Sequence, residues 1–355
     1  MAIETSKAGH APLSVPSRLS PTRVLIWCLV LLAALLPVLT HMTGIISNFY
    51  YLQLSLMLVF SIAVLGLNLL TGFNGQISLG HGAFFAIGAY TAGILLDQTS
   101  VPYWAAVPAA GLVCFCIGYL FGYPALRLEG HYLALATFAL AIAVPQILKY
   151  RHLEDFTGGV QGINLIKPEA PFGLPLSPDQ WMYLVVLLVA VLMFWLARNL
   201  VHSRVGRAMM AIRDHSMAAD TMGIDSARIK MTVFGISALY TGIAGALHAI
   251  IFEFIAPDSF RLELSISLLV GAVIGGVASL PGAVIGGVFV QVIEKYADAL
   301  TKAISNSVHL PIELEPWTIY GIALIALVYL MPTGIAGGIG SLWRSMTRLR
   351  GTPSG

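Results

Sequence analysis

The reading of the fold turns on LSISLLVGAVIGGVASLPGAVIGGVFVQV, residues 264–292. Its 29 residues, all but Gln291 apolar or small, exceed the roughly 20 that one membrane-spanning helix needs. Within it Gly-Ala-Val-Ile-Gly-Gly-Val occurs at 271–277 and again at 282–288, separated by Ala278-Ser279-Leu280-Pro281. Each copy carries a Gly-x-x-x-Gly pair, which lets helices approach closely. Pro281 removes a backbone donor and favours a break or a kink. A hairpin of two short helices and a single kinked helix both fit the pattern.

Charge separates them. With a hairpin, the chain ends on the side where it began. Only Lys149, Arg151, Lys167, Arg261, Lys295 and Lys302 of the 19 basic residues then lie outside. A single span moves Arg344, Arg348 and Arg350 outside as well, against the tendency of Lys and Arg to stay in the cytoplasm. The hairpin is therefore the expectation.

The rest of the chain agrees. Over 355 residues, 57% are hydrophobic and 10% charged, with a mean hydropathy of +0.84. Soluble domains carry roughly a quarter charged residues, so an ordinary soluble fold, a disordered chain and a disulfide-stapled scaffold are excluded. A net charge of +2 gives no footing for a nucleic-acid partner. Further apolar runs cover Val24–Met42, Phe49–Leu70, His81–Leu96, Tyr103–Gly122, Tyr132–Leu148, Trp181–Leu200, Met231–Phe252 and Trp317–Met331. None alternates with the period of two that a membrane β-barrel requires. The expectation is an all-α polytopic transmembrane bundle of about ten segments, the Gly/Pro-broken hairpin among them.

The implied organisation is a cytoplasmic tail at 1–23, a membrane domain at 24–343 and a cytoplasmic tail at 344–355. Both termini then face the cytoplasm of a multi-pass membrane protein. The N-terminal stretch has no small-residue cleavage site after its first apolar run and reads as an uncleaved tail. Two hydrophilic loops stand out, 151–180 facing outward and the basic 201–230 facing inward. Cys28, Cys114 and Cys116 read as small buried hydrophobes, and no paired Cys or His spacing suggests a metal.

Absent motifs narrow the function. No Gly-Lys pair occurs anywhere, so the chain has no phosphate-binding P-loop. Asp97, Glu129, Glu253, Glu294 and Asp298 fall at span ends or in loops, whereas ion-coupled carriers usually keep a carboxylate at depth. Uphill transport by this chain would then draw its energy from another polypeptide. A self-contained ion-coupled carrier remains the rival transporter reading, and an intramembrane enzyme using His81 or His248 is the rival from another class.

Two segments carry candidate functional residues. In 67–84, Gly75, Gly80 and Gly82 allow backbone turns while Asn74, Gln76, Ser78 and His81 bring hydrogen-bonding groups. Irregular backbone at membrane depth is tolerated only against protein or a water-lined cavity, so these seven residues are candidates for a solute path or gate. A glycine-rich packing corner fits the pattern equally well, and His81 alone is a structural histidine on base rates. In 204–224, a short helix ends at Gly223, with Ala208, Ile212, Ala219 and Met222 on one side and Arg207 and Arg213 elsewhere. Such a helix suits a membrane surface or a groove in a soluble partner.

Together these two segments resemble the LivH/LivM family of branched-chain amino-acid permeases from bacterial ABC importers. Met217-Ala218-Ala219-Asp220-Thr221-Met222-Gly223 is similar to the Glu-Ala-Ala-x-x-x-Gly loop by which such permeases dock on their ATPases, with Met217 in place of the glutamate. Thr157–Ile163 and Gly275–Gly282 also resemble family stretches, and the likeness runs from about residue 50 to 340. The resemblance implies the ABC importer permease fold, with Arg207, Ile212, Arg213, Ala218, Ala219 and Gly223 coupling to the ATPases. It implies a bacterial inner-membrane location and transport of Leu, Ile or Val, although family members also carry urea, amides or aromatic acids. The implied partners are a second, LivH-like permease subunit, two ATP-binding subunits, a periplasmic solute-binding protein and membrane lipid. This chain itself would bind no cofactor, the ATP being hydrolysed by the partner subunits.

Overall fold

The structure, a computed structural model, describes residues 30–37, 47–99, 101–125 and 130–308, with isolated positions between 321 and 337. Helix α1 covers 30–37. The larger unit begins at Ser47 and holds α2 (Asn48–Asn68), α3 (His81–Gln98), α4 (Tyr103–Ala125), α5 (His131–Leu148) and α6 (Pro178–His202). It continues with α7 (Arg204–Thr221), α8 (Ser226–Phe252), α9 (Leu262–Gly275) and α10 (Leu280–Val308). The tails, most of the first expected span and nearly all of the last lie outside the described residues. Five described helices are long and apolar enough to cross a bilayer, α2 with the turn after it, α4, α5, α6 and α8.

Hydropathy does not decide which helix sits in the middle. The most apolar, α6, has one exposed flank along Leu188, Leu192 and Trp195, whereas most of α2 and α8 is buried. Small and hydroxyl side chains make the difference. A Cβ at Gly88 of α3 would collide with the backbone of Gly242 in α8. Ser237 and Thr241 of α8 face Gly66 of α2. Lipid tails are as apolar as leucine, so close backbone approach and interhelical hydrogen bonds select the central pair.

The repeated heptapeptide forms the expected hairpin. Helix α9 ends at Gly275, and Gly276 (φ 117°) and Ala278 (φ 59°) turn the chain back into α10. Pro281 neither breaks nor kinks a helix; it occupies the first turn of α10, where a missing N–H costs no intrahelical bond. The repeated glycines face each other, since a Cβ at Gly275 would strike Gly282 and one at Gly286 would strike Gly271. Gly334, one of the isolated later positions, packs on Gly276 at the tip of the hairpin.

The loop at 151–180 is ordered by pairing. Ile163 and Asn164 form a short antiparallel bridge with Ile255 and Phe254, the one small departure from an all-helical chain among the described residues. Lys167 joins Asp179 and Glu253 at 2.8 Å each. Burial pushes the Lys167 ammonium down, but hydrogen bonds and charge from the two carboxylates outweigh it and hold the group above its ordinary value. Asp258 takes Lys149 at 2.7 Å and Arg261 at 3.2 Å, and the Lys149 hydrogen bond chiefly holds its carboxyl below the usual range. Of the cysteines, Cys114 is buried as expected and Cys116 is exposed, because two residues of helix turn it away from the core.

Candidate functional site

The segment from Asn68 to Gly82 connects α2 to α3 by a wide π-helical turn, Leu69–Phe73, and an irregular stretch. Asn68 fixes its position. Its Nδ2 donates to the carbonyls of Gly276 (3.3 Å) and Ser279 (2.9 Å), and its Oδ1 accepts from the Ala278 N–H (2.8 Å). One buried amide thus holds the hairpin turn. Asn68 was not among the candidates from sequence; a polar side chain at the end of an apolar run is the signal that was available.

Past the wide turn, Asn74 and Gln76 point inward and Gly75 and Ile77 outward. Gly75 takes φ +75°, a conformation glycine adopts without Cβ strain, and a Cβ there would stand 2.8 Å from Arg213 Cγ. Both amide atoms of Asn74 and the Oε1 of Gln76 are buried with no hydrogen-bond partner among the described residues. Buried polar groups are rarely left so. The Gln76 backbone is held, its N–H donating to Leu70 and its carbonyl accepting from Thr71 Oγ1.

Ser78 and His81 form a buried relay into the core. Ser237 Oγ lies 2.6 Å from the Gly66 carbonyl and 2.6 Å from His81 Nε2. A carbonyl only accepts, so the Ser237 proton goes to Gly66 and His81 Nε2–H donates to Ser237. His81 Nδ1 then accepts from Ser78 Oγ at 3.1 Å. This assigns one neutral tautomer and makes His81 a bridge among α2, α3 and α8. Gly80 sits against Thr137 of α5, whose Oγ1 accepts from the Leu79 N–H, and the Gly82 N–H donates to Ser265 of α9. Among the described residues no three His, Cys, Asp or Glu side chains gather to hold a metal.

The second candidate segment touches the first. Arg213 of α7 donates through Nη1 to the Gly72 carbonyl at 3.1 Å and pairs with Asp214. Arg213, expected off the apolar side of the helix, turns onto the wide turn. His215 has non-helical angles (φ −157°, ψ 93°) and bends α7 in two. Met222, the cap residue just past the helix, is exposed and does not share the buried side of Ile212 and Ala219. Gly206, Met209, Ile212 and Ala219 are buried, while Met217, Ala218 and Met222 are exposed. Arg207 is exposed and reaches the His202 carbonyl. Gly223 (φ +82°) ends the helix, with its N–H on Asp220 and that of Ile224 on Ala219, a Schellman pairing. Of Ala218, Ala219 and Gly223, only Ala219 packs within this chain, and the other two are exposed.

The model of the branched-chain amino acid transport system permease component matches residues 49–331. The chain belongs to that family. It is 36% identical over 245 residues to the high-affinity branched-chain amino acid transport permease LivM of Salmonella typhimurium, covering 62% of this chain and 57% of the relative. LivM of Escherichia coli is 36% identical over 248 residues, covering 63% and 58%. The permease BraD of Pseudomonas aeruginosa is 26% identical over 314 residues, covering 81% and 96%. The aligned part thus spans somewhat under two thirds of the two LivM chains. No solved structure matches. Family membership and the apolar helices make this a multi-pass membrane permease, and the paired segments at 68–82 and 204–223 lie inside the matched region.

Proposed function

We propose that this chain is a membrane-spanning permease subunit of an ATP-driven importer that carries branched-chain amino acids across the bacterial inner membrane. It works with a second, LivH-like permease subunit, two ATP-binding subunits and a periplasmic solute-binding protein, and catalyses no reaction itself. The missing P-loop supports the division of labour. The basic loop 201–230 faces the cytoplasm, 151–180 faces the periplasm, and both tails, 1–23 and 344–355, are cytoplasmic. Gly334 packing on Gly276 supports a return of the chain toward the side of α7.

The observation that carries the reading is the Arg213–Gly72 hydrogen bond. Met217, Ala218 and Met222 offer an uncovered apolar face on α7 to an ATPase. Behind that face, Arg213 links the same helix to the irregular turn leading to Asn74, Gln76 and Ser78. A pull on α7 therefore reaches the candidate gate through one side chain and no intervening element.

The test is Ala218→Arg in the complete transporter. Ala218 is exposed on this chain, so the variant folds, but the new side chain blocks docking. ATP-dependent leucine uptake in vesicles and co-purification of the ATPases are expected to fall together. Wild-type uptake with the ATPases still bound would overturn coupling through α7.

A further inference from the structure

A cavity of about 230 Å³ opens beside the start of α9. That is below the roughly 300–1,000 Å³ of sites for drug-sized ligands and suits a smaller solute. Phe60 lines it from α2, twelve residues before Gly72, which places the cavity about 18 Å from the α7 contact along the helix. It is separate from the buried amides of Asn74 and Gln76.

Its wall combines charge of both signs, from Asp258, Glu263 and Arg261, and two serines with apolar surface. Glu263 lines it, and its Oε2 is buried with no hydrogen-bond partner among the described residues. A desolvated carboxylate oxygen calls for a cation or a donor. The other acid of the wall, Asp258, is already held by Lys149 and Arg261, so Glu263 is the acid left over. Arg261 also lines the cavity and is 65% exposed; its hydrogen bond to Asp258 uses one of five N–H groups and leaves donors for a second carboxylate. Phe60 and Leu264 supply the apolar wall, and behind Phe60 the rings of Phe85 and His248 close the site from the core.

We propose that this cavity is a station for a zwitterionic amino acid, its ammonium on Glu263, its carboxylate on Arg261 and its side chain against Phe60 and Leu264. The station rests on the reading of the chain as an amino-acid permease and adds that the permease itself recognises the head group common to all amino acids. Side-chain discrimination is then coarse here, because Phe60 and Leu264 offer apolar contact that does not distinguish one aliphatic chain from another.

The test uses the whole transporter in proteoliposomes with its binding protein and ATPases. Glu263→Gln and Arg261→Gln each remove one charge-assisted hydrogen bond to the solute, so leucine uptake falls about ten- to a hundredfold. ATP hydrolysis stimulated by the binding protein stays within about twofold, because neither residue touches α7. Arg261 is mostly exposed, so its variant carries the test if Glu263→Gln lowers expression. Wild-type uptake in Arg261→Gln overturns the station and leaves the permease reading standing. Failure of the wild-type complex to take up any amino acid overturns the permease reading itself.

Discussion

Asn68 and Asn74 pose a matched experiment. Both are buried, at 1% and 2% exposure, and both become alanine by the same chemical change. Asn68 makes three hydrogen bonds to the hairpin turn, and neither amide atom of Asn74 makes any among the described residues. Side-chain hydrogen bonds in a helical membrane protein average about 0.6 kcal/mol, which puts Asn68→Ala at a loss of about 2 kcal/mol. At the upper end of the range for proteins in general, about 1.5 kcal/mol each, the loss reaches about 4.5 kcal/mol. The cavity left by the missing amide is common to both variants and cancels in the comparison. Asn74→Ala has no bond to lose and removes a desolvated amide, so its cost stays under about 1 kcal/mol or changes sign. Reversible unfolding in mixed micelles, followed by the fluorescence of the six tryptophans, measures both. Equal destabilisation of the two variants, within about 0.5 kcal/mol, would refute the assignment of Asn68 as the clamp of the hairpin.

Three other outcomes follow from the same geometry. Gly75→Ala meets both a positive φ and a Cβ placed 2.8 Å from Arg213 Cγ, so it should cost about 1–3 kcal/mol in the same unfolding assay. Arg213→Ala loses the tie to Gly72; leucine uptake per ATP hydrolysed should drop while the ATPases stay bound, as measured in paired uptake and hydrolysis assays. Lys167 titrates above its ordinary value, so its pairing with Asp179 and Glu253 stabilises the folded loop fully below the unfolded lysine value near pH 10.4 and is lost as pH rises through the folded value. Protease cleavage in 151–180 should therefore be flat from about pH 6 to about pH 9 and increase only in stronger alkali, and Lys167→Met should abolish that step.

The spans that fall within the described residues and the hairpin were legible because they depend on apolar length, a duplicated Gly-x-x-x-Gly heptapeptide and the placement of a few charges. Helix ends moved by a few residues, and α10 proved far longer than its heptapeptide, since polar residues after Val292 continue the helix. The central position of α2 and α8 was not legible from hydropathy, because burial there follows Ser, Thr and Gly packing across helices far apart in sequence. Within the candidate site, the residue types at 74–82 were legible and their partners were not. Ser237, Thr137 and Ser265 meet that segment only in three dimensions, and Asn68 meets the hairpin turn in the same way. The bend at His215 has no Gly or Pro to announce it, and Met222 falls at the cap just past the helix end. Glu263 and Arg261 drew no notice because each looks like an ordinary polar residue at a span end until Oε2 is found without a partner.

The wide turn at Leu69–Phe73 makes chain length there a more sensitive property than composition. Removing one residue would return the stretch to ordinary α-helical winding and rotate everything after it by about 100°. The Gly72 carbonyl would swing off the Arg213 guanidinium, and His81 would leave Ser237. Exchanging one aliphatic or aromatic residue for another in 69–73 disturbs only packing, whereas a one-codon deletion at the same place puts every downstream contact out of register.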